Sequence, residues 1–293
     1  MRVKLRLLTG LILLLPLLVQ AAAPSANPLV GRLWSPAQQR YVDWPEFYRD
    51  WLPHDGWLLL GEQHDDAAHH EQEAQLIAQL GQRGLLGAVA LEMATPAQQP
   101  ALDRALHDPA ARNPERLDWS RGWPWALYEA PLQAAFRWSS RVLGADLSRA
   151  EVRALYTSTT ALAELEPAHA DFMLDLLYES HCGQMPRDQL QPMRRIQLAR
   201  DQQIASVLRA NVQPGRTSVL LTGAIHARAD LGVPRWLDTL PQRTVLMVAV
   251  TENRDPATYI PNSYGDLGSA DLLLFTPPVD APDYCAELQL KSN

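Results

Sequence analysis

The stretch that decides the fold is GWLLLGEQHDDAAHHEQEAQLIAQL, residues 56–80, where an apolar run changes abruptly into a helical pattern. Residues 56–62 form a continuous apolar run that ends in glycine and glutamate, which is typical of a strand buried on both faces. The apolar residues that follow recur at helical spacing and predict a helix over residues 65–83. Three of the eight histidines lie at this junction: His64, His69 and His70.

Apolar runs of the same kind recur along the chain and are separated by helical patterns. They occupy residues 86–93, 141–148, 216–226 and 243–252, and ADLLLF at 270–275 predicts an additional edge strand. Continuous Val, Leu and Ile runs that alternate with helices predict an α/β fold, with a mostly parallel sheet flanked by helices. Ser148 is expected to cap the helix that follows the third run.

Residues 95–211 read mostly as helices. We interpret this segment as a helical cap or insertion around one return to the sheet, within a single α/β domain over residues 22–293. The 293 residues are 47% hydrophobic and 20% charged, which is ordinary for a folded chain and disfavours the disordered and fibrous classes. The formal net charge of −7 argues against nucleic acid or an anionic membrane as a general partner.

The first 21 residues have the features of a signal peptide. Arg2, Lys4 and Arg6 precede an apolar run over residues 7–19, and VQA at 19–21 offers a small-residue cleavage site. A retained membrane anchor is the alternative, although the run is short for a spanning helix. No cysteine follows the run, so lipid attachment is not predicted. We therefore expect an exported, soluble, periplasmic protein.

The chain has two cysteines, Cys182 and Cys285. Export to an oxidising compartment predicts that they pair as a disulfide, and two unpaired thiols are the alternative. Two cysteines are too few to form a structural zinc or iron–sulfur centre by themselves.

Groups able to do chemistry follow three of the predicted strands. Glu62 and His64 end the first, Glu92 ends the second, and His226 ends the fourth. Because ligands of open parallel sheets bind beyond the carboxyl ends of the strands, these four side chains predict one polar site at that edge. Helical spacing places one of His69 and His70 toward the sheet, and we expect His69 to lie on the solvated face.

Five segments carry a family resemblance when they are taken together and in order. They are LLLGEQHDDAAHHEQEAQLI, ALEM, SHCGQMP, RRIQLARDQQIA and LLTGAIHARADLGVP. This set resembles the ChaN family of haem-binding uptake proteins, which belongs to the Tiki superfamily with TraB-like proteins and erythromycin esterases. The resemblance implies a protein of bacterial haem and iron acquisition, with haem as ligand, a homodimer, and outer-membrane or periplasmic haem transport components as partners.

In the family, haem is held at a dimer interface with a tyrosine as axial ligand. The resemblance places this role on Tyr128, with Trp123 and Trp125 beside the porphyrin and His70 available to its propionates. Tyrosinate is a hard donor that suits ferric iron. The alternative is that these aromatic residues only pack the helical cap against the sheet. Other tyrosines remain rival ligands: Tyr156, Tyr178, Tyr259 and Tyr264.

The same resemblance keeps a hydrolase open as the second hypothesis. Likeness to erythromycin esterases would make His64 the base that activates water, and Glu62 and Glu92 would position or protonate the reacting groups. Likeness to the Tiki proteases would place a divalent metal ion on His226 and Glu62. No Gly-x-Ser-x-Gly elbow is present, so serine esterase chemistry is not predicted. On balance we expect a binding protein and not an enzyme.

Overall fold

The computed structural model describes residues 27–159, 162–279 and 285–286. The predicted signal peptide at 1–21 lies outside these residues. The described chain forms one eight-stranded sheet in the order β2-β1-β8-β7-β3-β6-β4-β5. The strands are β1 Leu33–Ser35, β2 Arg40–Val42, β3 Gly56–Glu62, β4 Leu86–Leu91, β5 Arg141–Gly144, β6 Thr217–Gly223, β7 Gln242–Ala249 and β8 Leu272–Thr276.

Helices connect these strands. The α-helices are α1 Trp44–Glu46, α2 Ala67–Gln82, α3 Gln99–His107, α4 Trp125–Trp138, α5 Arg149–Thr157, α6 Pro167–Ser180, α7 Gln191–Ala210 and α8 Ala224–Ala227. A π-helical turn at Phe47–Trp51 continues α1. Short 3₁₀ turns occur at Pro96–Gln98, Pro109–Ala111, Arg187–Leu190, Val233–Trp236 and Pro256–Tyr259. The described residues of the stretch at 95–211 thus form five α-helices and return to the sheet once, as β5.

The central strands are parallel and buried on both faces. Every residue of β3, β4 and β6 is buried. Along β3, Leu58 and Leu60 enter the core on one face, whereas Trp57 and Leu59 enter the core on the other. This alternation explains why the strand reads as a continuous apolar run, and it confirms the predicted α/β class with a mostly parallel sheet.

The edge of the sheet differs from the prediction. β8 is not an edge strand, because it pairs with β7 in parallel and with β1 in antiparallel register. The hairpin of β1 and β2 forms the actual edge. Its two strands are only three residues long, so their alternation is too short to be recognised in the sequence.

Local signals set the ends of the helices that border the strand ends. Asp66 caps α2, its side chain accepting a hydrogen bond from the Ala68 N–H at 2.8 Å. Ser148 caps α5 as predicted, in a capping box with Glu151. Among the described residues, no helix is both long and apolar enough to cross a membrane.

Candidate functional site

The topology brings the predicted strand-end residues together. Glu62 is the last residue of β3, Glu92 follows β4 directly, and His226 lies in α8, the single turn after β6. The strands β3, β6 and β4 are neighbours in the sheet, so their carboxyl ends meet at one edge. His64 lies two residues beyond Glu62 and completes the group.

Glu92 lies at the centre of this group. Its Oε1 is 3.8 Å from Nε2 of His64 and 3.7 Å from Nε2 of His226. Its Oε2 accepts hydrogen bonds from the Thr222 hydroxyl at 2.6 Å and the Gly223 N–H at 2.7 Å. Burial alone would raise the pKa of Glu92, but the two histidines and these donors outweigh it and hold the pKa below its usual range.

A second carboxylate orients each histidine through its other ring nitrogen. Nδ1 of His64 lies 2.7 Å from Oε1 of Glu62, and Nδ1 of His226 lies 2.7 Å from Oδ1 of Asp201. Burial favours neutral His226, yet Glu92 and Asp201 together raise the pKa of His226 to about 9. The edge therefore carries two histidine–carboxylate pairs that converge on one glutamate.

Three further residues of this edge were not predicted from the sequence. Asp201 and Arg200 come from α7, and Asp146 follows β5. Nη1 of Arg200 lies 3.4 Å from Oε1 of Glu92 and 3.3 Å from Oδ2 of Asp146. Burial raises the pKa of Asp146 to about 6 although Arg200 opposes the shift. A signal existed for Asp201, because it occupies the buried, otherwise apolar stripe of α7.

Tyr128 is fully buried beneath the site. Its hydroxyl donates to Oε1 of Glu62 at 2.9 Å and lies 3.2 Å from Nδ1 of His64. Burial, reinforced by Glu62, raises the pKa of Tyr128 far above its usual value. Of the two predicted tryptophans, half-buried Trp123 lies with its ring centre 4.8 Å from that of His64. Half-buried Trp125 packs edge-to-face on Trp119 at 5.9 Å.

His69 and His70 are both buried, so the expectation that His69 faces solvent is wrong. Nδ1 of His69 accepts from the Gln63 N–H at 2.9 Å, and its Nε2 lies 3.0 Å from Oγ1 of Thr276. The end of β8 thus covers the side of α2 that the helical pattern assigned to solvent. His70 lies under the ring of Tyr128, at 4.4 Å between ring centres, and not at a surface where a propionate would meet it.

A cleft of about 840 Å³ opens over this edge of the sheet. Glu62, His64 and His226 lie on its floor, and the side chain of His64 is 36% exposed. One wall is apolar and comes from one face of α6, with Met173, Leu176 and Leu177.

The wall of the cleft is tied to the C-terminal segment. Cys182, which follows α6, forms a disulfide with Cys285 across 103 residues of sequence. This is the pairing that the sequence predicts.

Fold and site together define an α/β protein with a Glu/His centre at the carboxyl ends of its parallel strands. The family described as haem-binding uptake, Tiki superfamily, ChaN, matches residues 51–237. The match covers more than half of the chain and includes the strand-end motifs. The chain therefore belongs to this family.

A solved structure of the same family shares the fold. A ChaN protein of Campylobacter jejuni, described with cofacial haem binding, has a TM-score of 0.68 and 22% identity, over 83% of this chain and 95% of that one. An erythromycin esterase mutant in its open conformation has a TM-score of 0.45 and 14% identity, over 89% and 87% of the two chains. No curated protein matches the chain.

Proposed function

We propose that this chain binds ferric haem in the cleft over the strand ends, as a carrier in haem uptake. Membership of the ChaN family supports the ligand. One observation supports the cleft as the haem site: its α6 wall is apolar, and it faces the exposed edge of His64 beside the ring of Trp123. A porphyrin is a flat, largely apolar plate with a metal at its centre, and it requires this pairing of surface types.

The proposed axial ligand is Tyr128, in agreement with the family resemblance, and His64 is the competing group. Tyr128 is buried and donates to Glu62, so its oxygen reaches an iron only after leaving that carboxylate. His64 needs no such movement, because its exposed edge already faces the cleft. Glu62 on Nδ1 of His64 also gives the carboxylate–histidine arrangement that orients many metal-bound imidazoles.

Absorption spectroscopy with ferric haem tests both statements. We expect a stoichiometric shift of the Soret band in the wild-type protein, and a weakened or altered band in Tyr128→Phe. Tyr156→Phe is the matched control, because Tyr156, a rival ligand from the sequence, is 47% exposed on α5 and is not bonded to the strand-end site as Tyr128 is through Glu62. If the Soret band changes in His64→Ala and not in Tyr128→Phe, His64 is the axial ligand. No spectral change in the wild-type protein would refute haem binding.

Export and dimerisation belong to the same proposal. The predicted signal peptide and the disulfide of Cys182 with Cys285 both suit an oxidising, periplasmic compartment. A dimer would shield the haem on the open side of the cleft and would release it to transport components. Size-exclusion chromatography with and without haem tests this statement, since a haem-dependent doubling of mass is expected.

One observation favours a hydrolase as the second candidate. His64 and His226 each have a carboxylate on Nδ1 and each turn Nε2 toward Glu92, which is the arrangement of paired acid–base groups. A hydrolase would turn over an ester or peptide, and turnover would fall by at least about 100-fold in His226→Ala. A broad substrate screen without any turnover that depends on His226 would exclude this candidate.

A further inference from the structure

A second group of side chains, of the types that ligate metals, lies under the strand ends and shares only Glu62 with the site around Glu92. It consists of Glu62 from the end of β3 and of His70 and Glu73 from α2, whose donor atoms all lie within 4.8 Å of one another. Nδ1 of His70 is 3.0 Å from Oε2 of Glu62 and 3.3 Å from Oε2 of Glu73. All three side chains are at most 2% exposed.

The hydrogen bonding of His70 determines which of its two ring nitrogens is available as a metal ligand. Nε2 lies 3.2 Å from the carbonyl oxygen of His64, and because a carbonyl only accepts, Nε2 carries the proton. Nδ1 lies between Glu62 and Glu73, and it would offer its lone pair to a metal ion that displaces its proton. A backbone carbonyl on the distal nitrogen is the common support of metal-bound histidines.

A buried oxygen of the cluster also lacks a partner. A buried carboxylate oxygen without a partner is costly in a volume that is closed to solvent. Within the described chain, no donor makes a hydrogen bond to Oε1 of Glu73, although that atom is buried. A divalent cation would supply the partner that this oxygen lacks.

The donor set indicates the class of metal. Calcium takes six to eight oxygen ligands, whereas one imidazole with two carboxylates is typical of zinc and similar transition metals. Zinc binds nitrogen and oxygen at about 2.0–2.2 Å in tetrahedral geometry, which sets neighbouring donor atoms about 3.3–3.6 Å apart. The separation of 3.3 Å between His70 and Glu73 lies in this range, and the separation of 3.0 Å between His70 and Glu62 would have to widen slightly around an ion.

We infer that Glu62, His70 and Glu73 form a buried site for a divalent transition metal of the zinc class. It differs from the His226 and Glu62 pairing that the family resemblance implies, because Glu62 offers its other oxygen, Oε2, on the α2 side of the strand. The ion would fix α2 against β3 and hold Glu62, which orients His64 at the floor of the cleft. This inference does not depend on haem binding.

Equilibrium unfolding in urea with and without Zn²⁺ tests the site in the absence of haem. Tag-free protein with an intact disulfide is first dialysed against a chelator, and its metal content is measured after zinc is restored. A metal that binds only the folded chain raises the unfolding midpoint, and unfolding gives the ion access to a buried site. We expect one zinc per chain and a higher midpoint in the wild-type protein.

Three variants locate the ion. Glu73→Gln should abolish the zinc-dependent shift, whereas Glu71→Gln, on the exposed face of the same helix, should retain it. His226→Gln should also retain it, because His226 lies at the Glu92 centre. The inference is overturned if the wild-type midpoint does not move, which would mean that protons alone neutralise the cluster. It is equally overturned if the shift survives Glu73→Gln or is lost in His226→Gln.

Discussion

The hydroxyl of Tyr128 donates to Oε1 of Glu62 at 2.9 Å, across 66 residues of sequence. This bond joins α4 to the end of β3 and so links the helical segment to the strand-end site. Nδ1 of His64 lies 2.7 Å from the same oxygen of Glu62. The position of the cleft floor therefore depends on a buried phenol that does not itself line the cleft.

Tyr128→Phe should destabilise the fold even without haem. The substitution removes a buried donor from an ionised carboxylate, and we expect the free energy of unfolding to fall by about 1–3 kcal/mol. Urea denaturation measures the change, with Tyr156→Phe as the exposed control. An unchanged midpoint would show that Glu62 finds another donor.

Stability should fall as the pH rises from about 6.5 to 9 because of His226. Its folded pKa is raised to about 9, so its contribution is fully present below about pH 6.5 and is lost as the pH rises through 9. The shift corresponds to about 3 kcal/mol at most. Urea midpoints between pH 6 and 10 should show this decrease in the wild-type protein and in His54→Gln, an exposed control, but a flatter curve in His226→Gln. Parallel curves for all three would contradict the assignment.

Loss of the disulfide should weaken both the fold and the wall of the cleft. Cys285→Ser opens a loop of about 100 residues, for which chain-entropy arguments give a loss of about 2–5 kcal/mol. Thermal unfolding of oxidised and reduced wild-type protein measures the effect. A reductant should lower the melting temperature of the wild-type protein and leave Cys285→Ser unaffected, because no other disulfide is available to the chain. Equal responses would indicate that the bond does not constrain the fold.

Gly223→Ala should disturb the site without removing any functional side chain. A Cβ at this position would lie 2.7 Å from Nε2 of His64, so the imidazole must move. If His64 faces the haem, we expect affinity for haem to fall at least about tenfold, or about 1.4 kcal/mol. Gly268→Ala is the control, because its nearest neighbour would be 4.0 Å away. Equal affinities for haem in the two variants would remove His64 from the proposed site.

Local patterns sufficed for the parallel core of the fold and for part of the site. Gly56–Glu62 was predicted with its exact ends, because a strand buried on both faces has an unbroken apolar sequence. The meeting of Glu62, Glu92 and His226 also followed from sequence, since parallel strands deliver their carboxyl ends to one edge. Neither inference required knowledge of distant contacts.

Distant contacts decided the side-chain partners within the site. His69 was assigned to solvent because helical spacing reveals one apolar stripe, whereas its partner Thr276 lies 207 residues away in the sequence. Asp201 reaches His226 only because α7 lies beside α8, the turn that follows β6, and no local sequence pattern identifies His226 as its partner. The sequence alone thus determined the class of fold and the edge of the sheet at which the polar site lies. Only the tertiary structure decided which carboxylate orients each histidine and that Tyr128 is buried, because side-chain partners are set by packing between segments far apart along the chain.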